Sequence, residues 1–429
     1  MTTLFPTVKL GRVARIISGV GFPHEYQGND SGEVPFIKVS DLNTQRQGYR
    51  LVGARNWVSR RESVSLGARV APAGSTVFPK VGAALLKNPR RMLTQASAMD
   101  NNLMAVVPQA GDQRFWMYAL STIDLGELSG SAPLPFVSDG QVRDLKIPFP
   151  APLEQRRIAD FLDAETARID SLLNAEARVL DRLSERRSAG VFHAVSGSAV
   201  PERRASTLAW MESIPDTWKE VSVGLVSRMG SGHTPSRSHP EWWTGCTIPW
   251  ITTGEVKQVR DDRLEDLHET REKISELGIA NSSAELHPVG TVFLCRTASA
   301  GYSGVMGLDM ATSQDFVTWT CGPLLNPYYL LWCLRAMRSD LLGRLAMGST
   351  HKTIYVPDLQ MLRIPLPPLD EQIEIVASIR HQNAKIDNLA DKVSRQVALL
   401  NERRQALITA AVTGQFDVST ASGRGVDGS

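Results

Sequence analysis

The chain of 429 residues is poor in the residues that build metal or disulfide centres. It has four cysteines (Cys246, Cys295, Cys321 and Cys333), and no two of them form a CxxC pair. This spacing argues against a zinc ribbon or a disulfide framework and favours buried free thiols. The histidines never pair at metal-ligand spacing, and no GxxxxGK[ST] loop occurs, so neither a metal site nor a Walker-type nucleotide site is predicted.

Long apolar runs are also missing. The most apolar stretch, YYLLWCLRAM, is much too short to cross a bilayer. The first residues, MTTLFPTVKL, lack the basic start and apolar run of a secretory signal. We therefore expect a cytoplasmic protein with no membrane partner.

Charge of one sign is scarce as well, because the formal net charge is only +2. Residues 1–150 carry 17 Lys and Arg against 11 Asp and Glu, whereas residues 215–365 carry 14 against 16. A uniformly basic face is therefore not expected. If the chain binds nucleic acid, it must use local patches or the help of a partner.

What the chain does contain is a long internal repeat. The stretch IPFPAPLEQRRIADFLDAETARID at 147–170 returns 217 residues later as IPLPPLDEQIEIVASIRHQNAKID at 364–387. Between 147–197 and 364–414, 19 of 51 aligned residues are identical, where unrelated sequences would share roughly 3. So long a period indicates a duplicated module and not a solenoid.

Each copy of the repeat predicts one long helix after a proline-rich start. Apolar residues then recur every 3.5 positions on average, which is typical of a coiled-coil seam. We expect the two helices to pair antiparallel along these seams. Leu173, Leu180 and Val397 flank the seams, where a partner surface and ordinary packing explain them equally well. The predicted seam residues are Ile158, Leu162, Ile169, Leu172, Val179 and Leu183 in the first helix, and Ile375, Ile379, Ile386, Leu389, Val393 and Leu400 in the second.

The regions before the two helices match more weakly. LGRVARIISG at 10–19 aligns with VGLVSRMGSG at 223–232, and VPFIKVSDL at 34–42 aligns with IPWITTGEV at 248–256. Short β-type runs with Gly and Pro punctuation alternate here with helical stretches, which predicts α+β domains. The predicted fold class is α+β: two tandem α/β domains separated by two long helices that form an antiparallel coiled coil, with pseudo-two-fold symmetry. The predicted boundaries are 1–150 for the first domain, 151–198 for the first helix, 199–214 for a linker, 215–367 for the second domain, 368–414 for the second helix and 415–429 for a disordered tail.

The two helices are similar in sequence, whereas the two domains have diverged. This suggests two recognition domains that the helices hold at a fixed separation. Such an arrangement suits a linear polymer with two different sites, and duplex DNA offers separated half-sites of this kind.

Three motifs carry a resemblance to a known family. They are the repeated IPxPxxxEQ with its long helix, the run LAWMESIPDTWKEVSVGLV at 208–226, and SGHTPS…WW.G..IPWITTGEV at 231–256. In these motifs the chain resembles the specificity (S) subunit of type I restriction–modification systems, over roughly residues 8–414. The first domain departs from the usual pattern, since SGVGFPHEY stands where the second domain has GSGHTPS.

The resemblance implies a function as well as a fold. It implies that both domains are target-recognition domains, each reading one part of a split and asymmetric duplex DNA sequence. It also implies that the helices set the spacer and dock two methyltransferase (M) subunits, and that restriction and motor (R) subunits join the complex. S-adenosylmethionine, magnesium and ATP are then expected on those partners, while this chain is expected to hold no cofactor and to catalyse no reaction.

Two short motifs could instead suggest catalysis. LNPYY at 325–329 is close to the [DNS]PP[YFW] loop of amino-methyltransferases but lacks its second proline. We expect Asn326 to cap a helix whose first turn contains Pro327. PD at 215–216 with EVK at 255–257 fits a loose nuclease pattern that arises readily by chance, so no catalytic or metal-binding residue is predicted.

Loops that diverge between the matched domains supply candidate DNA contacts. Base readout uses forked or hydroxyl-bearing side chains, and phosphate contacts use Arg, Lys and hydroxyl groups. Each such residue could equally belong to a solvated loop. The candidates are Lys80, Lys87, Arg90, Arg91 and Ser131 in the first domain, and Arg296, Thr297, Ser299, Tyr302, Ser349, Thr350, His351 and Lys352 in the second.

Two other functions stay open at this point. One is an interaction scaffold, a coiled-coil protein whose heads bind other proteins. The other is the recognition subunit of a related two-subunit restriction system that cuts beside its target.

Overall fold

The computed structural model describes residues 3–130, 134–346 and 352–421. The chain forms two compact units, unit 1 with residues 1–177 and 394–429, and unit 2 with residues 178–393. Each unit therefore combines one α+β domain with a part of each long helix. The candidate contacts Ser131, Ser349, Thr350 and His351 lie outside the described residues.

The first domain consists of short strands and mostly short helices. The strands are β1 (Thr7–Lys9), β2 (Ala14–Ser18), β3 (Val34–Ile37), β4 (Arg46–Gln47), β5 (Arg50–Leu51), β6 (Asn56–Val58), β7 (Thr76–Pro79), β8 (Arg91–Leu93), β9 (Ala98–Met99), β10 (Leu103–Pro108) and β11 (Lys146–Pro148). The helices are α1 (Asp41–Thr44), α2 (Arg60–Ser65), α3 (Ala83–Leu86), α4 (Gln113–Ser121) and α5 (Asp139–Asp144), and short 3₁₀ turns occupy Leu10–Arg12, His24–Tyr26 and Glu127–Ser129. The first long helix, α6 (Pro152–Val195), follows.

The second domain repeats this pattern. Its strands are β12 (Arg203–Ala205), β13 (Ser213–Pro215), β14 (Lys219–Ser222), β15 (Ser227–Ser231), β16 (Ile248–Ile251), β17 (Asp266–Leu267), β18 (Glu272–Ile274), β19 (Val292–Cys295), β20 (Ser303–Met306), β21 (Ala311–Thr312), β22 (Phe316–Cys321) and β23 (Arg363–Leu366). Its helices are α7 (Val223–Val226), α8 (Val256–Val259), α9 (Glu276–Ala280), α10 (Pro327–Ala336), α11 (Arg338–Asp340) and α12 (Val356–Gln360), with 3₁₀ turns at Pro240–Trp243 and Thr253–Glu255 and a π turn at Leu341–Leu345. The second long helix, α13 (Leu369–Thr413), and a last turn, α14 (Val418–Ala421), complete the chain.

The sheets of the two domains have the same order. The main sheet runs β2-β10-β7-β8-β5-β4 in unit 1 and β15-β22-β19-β20-β17 in unit 2. A three-stranded sheet, β6-β3-β9 or β18-β16-β21, and a two-stranded sheet, β1-β11 or β14-β23, accompany it. The duplication seen in the helices therefore extends through both domains, although their loops differ.

Each domain buries one helix against its main sheet. In unit 1 the fully buried Trp116 of α4 packs with Phe78 and Val106. In unit 2 Trp319 and Tyr329 occupy the corresponding core, and both are at most 1 % exposed. Burying a large aromatic or aliphatic side chain stabilises a fold by about 1.5–3 kcal/mol, so these clusters hold each α4 or α10 helix firmly on its sheet.

The long helices pair antiparallel within each unit. In unit 1, Ile158 and Leu162 near the start of α6 share a core cluster with Ile408 and Val412 near the end of α13. In unit 2, Val191 at the end of α6 shares a cluster with Val376 and Ile379 at the start of α13. The directions therefore oppose in both units. Among the described residues, no helix is long and apolar enough to cross a membrane.

The buried stripe of each helix follows strict spacings of three and four, but its register differs from the prediction in part. Ile158, Leu162, Ile169 and Ile379 are buried, and Leu183, Ile375, Ile386, Val393 and Leu400 are half-buried. The prediction is wrong at Leu172, Val179 and Leu389, which are 45 %, 43 % and 49 % exposed. In their place the stripe uses Leu173, Leu180 and Ala390, so that Leu173, Leu180 and Val397 lie in the seam and do not form a free flank.

Two ion pairs join the helices at equivalent positions. Arg404 donates to Asp170 at 2.9 Å in unit 1, and Arg187 donates to Asp387 in unit 2. Position 187 corresponds to 404, and position 170 to 387, under the repeat of 217 residues. These side chains are half-buried, so the pairs are shielded better than ordinary surface pairs.

The glutamine of the repeated motif fastens each domain to its helix. In unit 1 the buried Gln155 accepts from the backbone N–H of Asp112 at 3.0 Å and donates to the carbonyl of Pro150 at 2.8 Å. Asp112 is the N-cap of α4, so one side chain joins the start of α4 to the start of α6. Gln372 repeats this arrangement in unit 2 with the N-cap residue Asn326. The glutamine of the EQ motif thus connects the buried helix of each domain to the start of the long helix, and we call this connection the joint.

Two predicted boundaries need correction. The segment expected as a linker at 199–214 folds into the β12-β13 hairpin, because Leu208, Met211 and Ile214 form a core cluster with Trp218. The expected disordered tail is ordered at its start. Phe416 packs against Phe161 with ring centroids 5.5 Å apart, and α14 follows at once. Residues 422–429 lie outside the described residues.

Candidate nucleic-acid interface

In unit 2 the residues after β19, 296–299, are hydrogen-bonded to Asp315 and to residues 352–354, and we call this arrangement the corner of the domain. The N–H of Arg296 donates to the carbonyl of Asp315 at 2.8 Å, and the carbonyl of Arg296 accepts from Ile354 at 2.8 Å. The N–H of Ala298 donates to the carbonyl of Lys352 at 3.1 Å. These bonds and the bridge between Thr297 and Thr353 place the turn with Arg296, Thr297 and Ser299 beside the separate segment that contains Lys352. Lys352 is exposed and Arg296 is half-buried.

Unit 1 builds the same corner at the end of β7. The N–H of Lys80 donates to the carbonyl of Asn102 at 2.8 Å, and its carbonyl accepts from Val137 at 2.9 Å. The N–H of Gly82 donates to the carbonyl of Pro135 at 2.8 Å. The backbone hydrogen bonds of Lys80 match those of Arg296. Both domains therefore have a cationic side chain at the equivalent position.

Forked amides next to these cations were missed by the sequence analysis. Asn101 in unit 1 and Gln314 in unit 2 are exposed and stand one residue before the carbonyl that anchors the corner. Gln314 also accepts from the hydroxyl of Thr234 at 2.6 Å, and its carbonyl accepts from Arg296 at 3.0 Å. An Asn or Gln side chain can hold adenine by two hydrogen bonds in the major groove. Aligning MDNN at 99–102 with TSQD at 312–315 would have revealed the pair.

A buried acceptor shapes the turn that presents each amide. In unit 1 the carboxylate of Asp100 accepts from the N–H of Asn102 at 2.9 Å, while burial raises the pKa of Asp100. In unit 2 the hydroxyl of Ser313 accepts from the N–H of Asp315 at 3.4 Å. Short polar side chains stabilise tight turns in this way, so the tip residues Asn101 and Gln314 are held at the surface.

We expect the positive φ at position 298 to carry a measurable cost. Ala298 has φ +60°, where the equivalent Gly82 has φ +72°. A side chain in this region costs about 1–2 kcal/mol, so Ala298→Gly should stabilise the chain by about 1 kcal/mol. Gly82→Ala should destabilise it by about 1–3 kcal/mol, because Gly82 combines φ +72° with ψ −166°, a backbone region nearly restricted to glycine, although the added methyl group meets only Leu134 at 3.8 Å. Urea denaturation measures both, and shifts of the same sign for the two variants would contradict this reading.

Other candidates lie elsewhere in the domains. Arg90 is a correction: it is 4 % exposed and donates to Asn88 Oδ1 at 2.8 Å and to the carbonyl of Pro89 at 3.0 Å. Burial lowers its pKa to about 9, and its guanidinium lies over the ring of Phe78, so it supports the core and is not available to DNA. Lys87 and Arg91 line a groove on the same unit, away from the corner bonds.

Tyr302 is also engaged within the domain. Its ring lies under the guanidinium of Arg338 at 4.7 Å and of Arg260 at 5.5 Å. Cys295, directly before the corner, is fully buried, and burial raises the pKa of its thiol to about 12. The thiol is therefore protonated at neutral pH and acts as a packing group.

The motif that resembled a methyltransferase loop is a helix cap, as predicted. Asn326 Oδ1 accepts from the N–H groups of Tyr328 at 2.9 Å and Tyr329 at 3.2 Å, and Pro327 occupies the first turn. The side chain of Asn326 is thereby committed to its own helix. Within the described ranges, no group of three or more His, Cys, Asp or Glu is placed to hold a metal ion.

The repeated domains and their matching corners define a two-headed recognition protein, and comparison with known families identifies its kind. A family model described as the type I restriction modification DNA specificity domain matches residues 4–179 and again residues 215–394. Because the two matches cover most of the chain, the protein belongs to this family. It is a specificity subunit of the type I restriction–modification class, with two tandem specificity domains.

Individual relatives agree over most of their lengths. The chain is 21 % identical over 336 residues to the type I restriction enzyme EcoDI specificity subunit of Escherichia coli, covering 70 % of this chain and 69 % of that protein. It is 21 % identical over 400 residues to the EcoBI specificity subunit of Escherichia coli, covering 89 % and 82 %. The MjaIX specificity subunit of Methanocaldococcus jannaschii is 20 % identical over 411 residues, covering 92 % and 88 %.

The fold has a solved counterpart. A chain from a study of complex assembly and conformational transition of the type I R-M system superposes with a TM-score of 0.69 at 18 % identity. The likeness covers 97 % of this chain and 100 % of that one. At this identity it shows the shared fold.

Proposed function

We propose that each domain reads one half of a bipartite and asymmetric duplex DNA target through its corner. The observation that carries the proposal is the shared backbone of the two corners with different side chains upon it. Lys80 and Asn101 stand in unit 1 where Arg296 and Gln314 stand in unit 2. Equivalent backbones that carry different hydrogen-bonding side chains are suited to reading two different half-site sequences.

The proposal extends to the partners of the chain. The paired helices would dock methyltransferase subunits, two in number as the two-fold repeat suggests, and restriction and motor subunits would join them. S-adenosylmethionine, magnesium and ATP would then be bound by those partners. This chain would recognise the DNA sequence and would not catalyse a reaction. The engagement of Asn326 as a helix cap supports this division of labour.

Selection from a random duplex library tests the proposal. The bait is the full chain, co-expressed with a methyltransferase subunit and purified as a complex, and the retained DNA is sequenced. We expect two short and dissimilar motifs separated by one fixed gap. A single motif, or two identical motifs, would contradict the asymmetric reading, and no enrichment by an intact complex would favour an interaction scaffold.

A further inference from the structure

The equivalent ion pairs of the two units have different surroundings. In unit 2, Asp262 lies beside Arg187 and has φ +59°. Its carbonyl accepts from Arg187 at 2.7 Å, and its carboxylate accepts from Arg338 through two bonds of 2.8 and 2.6 Å. Arg335 lies 3.3 Å from the same carboxylate. Unit 2 thus fills the space next to its ion pair with an anion of its own.

Unit 1 has a glycine at the corresponding place. Gly48 also has φ +59°, in the connection between α1 and β5 that corresponds to the connection between α8 and β17. A Cβ on Gly48 would lie 4.0 Å from Asp170, the partner of Arg404. The position therefore faces the equivalent ion pair but provides no carboxylate.

An open groove of about 640 Å³ occupies this region of unit 1. Gly48 lines it, together with the cations Arg46, Lys87, Arg90, Arg91 and Arg404 and a single acidic side chain, Asp124. Pockets for small ligands commonly measure about 300–1,000 Å³. The groove is thus large enough for a molecule of nucleotide size and has a strong excess of positive charge.

Three of the five cations in this groove have no acidic partner in the described part of the chain, whereas Arg404 is paired with Asp170. Arg91 donates only to backbone carbonyls, those of Leu42 and Arg90, both at 2.7 Å. Within the part of unit 1 that the structure describes, Arg46, Lys87 and Arg91 form no ion pair. Burial, together with the charges of Arg46 and Arg404, lowers the pKa of Arg91 to about 10. Like charges held together in a concave site attract an anion from solution.

We propose that this groove is a phosphate-binding site, in which a phosphate group from outside the chain is held by Arg46, Lys87 and Arg91. Guanidinium groups bind phosphate through paired N–H donors, as Arg338 binds the carboxylate of Asp262. The phosphate could belong to a free nucleotide or to a DNA backbone. The site is separate from the corner of unit 1 and does not depend on the reading of half-sites.

Calorimetric titration of the full chain with inorganic phosphate tests the site. We expect saturable binding by the natural chain and at least a tenfold loss of affinity in Gly48→Asp, because the new carboxylate would neutralise the groove from within. Aspartate tolerates a positive φ better than most residues, so the variant is expected to fold. Gly67→Asp is the matched control, since Gly67 has φ +65° and open space around it.

A second variant and two competitors complete the test. Arg91→Gln should lose phosphate binding in the same way, which keeps the proposal testable if Gly48→Asp fails to fold. Displacement of phosphate by a nucleoside monophosphate but not by a short non-target duplex would identify a free nucleotide, and the reverse would identify DNA backbone. No saturable binding by the natural chain, or equal binding by Gly48→Asp and Gly67→Asp, would overturn the proposal.

Discussion

Replacing Arg296 and Lys352 together by alanine is expected to weaken duplex binding by about a hundredfold or more, because each charged hydrogen bond contributes about 1.5–3 kcal/mol. The two side chains belong to adjacent segments of unit 2, which are joined by the bond between the N–H of Ala298 and the carbonyl of Lys352. If both contact phosphate, the slope of log affinity against log salt should become shallower by about 1.8. Fluorescence anisotropy at several salt concentrations measures both quantities in the complex with the methyltransferase subunit.

A charge-matched variant separates local contact from general attraction. Lys219→Ala with Lys273→Ala removes the same charge at exposed positions of unit 2 outside the corner. It should leave affinity and slope nearly unchanged. Gln314→Ala offers a different contrast, since loss of a base contact should relax the sequence preference at one position while the salt slope stays the same. Equal effects of the two charge-matched double variants would remove Arg296 and Lys352 from the DNA contacts.

The sequence predicts the duplicated architecture well, because equivalent residues of the two halves are separated by a constant number of positions. Gln155 and Gln372, and the arginines 187 and 404, occur at the same offset of 217 residues. Helix formation and pairing depend on such offsets, so both joints and both ion pairs can be located by alignment alone.

The register of the seam was harder to predict, since hydrophobicity alone is ambiguous there. Leu172 and Leu173 are both apolar, and a step of three or of four from Ile169 gives different faces. The structure takes the step of four, and the stripe passes through the buried polar residues Thr166 and Asn383. Because polar residues interrupt the apolar pattern of the seam, a prediction based on apolar spacing alone is shifted by one residue, from Leu173 to Leu172.

The corners could be predicted only in part, because long-range hydrogen bonds assemble them. Lys80 and Arg296 were identified from divergent loops. Asn101 and Gln314 come from another strand connection, which an alignment of the two domains can match but which only the folded sheet places beside those cations. Arg90 shows the opposite failure. Arginine is rarely buried, and nothing in the sequence showed that Asn88 and two carbonyls would satisfy its donors.

Replacing Gln372 by leucine is expected to destabilise unit 2 by about 3–5 kcal/mol, which is the larger of the two effects on stability foreseen for this chain. The change keeps the volume but removes three hydrogen bonds of the fully buried Gln372 side chain, and each partner left unpaired at such a site costs about 1–3 kcal/mol. The partners are the N–H of Asn326 at 2.8 Å and the carbonyls of Pro367 at 2.9 Å and Leu324 at 3.0 Å. Gln155→Leu should be milder in unit 1, where two such bonds are lost.

Hydrogen exchange measured by mass spectrometry distinguishes this joint from a general weakening. Because Asn326 caps α10 and Gln372 begins the first turns of α13, faster exchange should concentrate in α10 and the start of α13. Gln396→Leu is the matched control, since Gln396 is an exposed glutamine of the same helix. If Gln372→Leu and Gln396→Leu lowered stability equally, the glutamine would be an ordinary helix residue. A localised and larger loss would establish that the repeated EQ motif is retained as the joint between each reading domain and its helix.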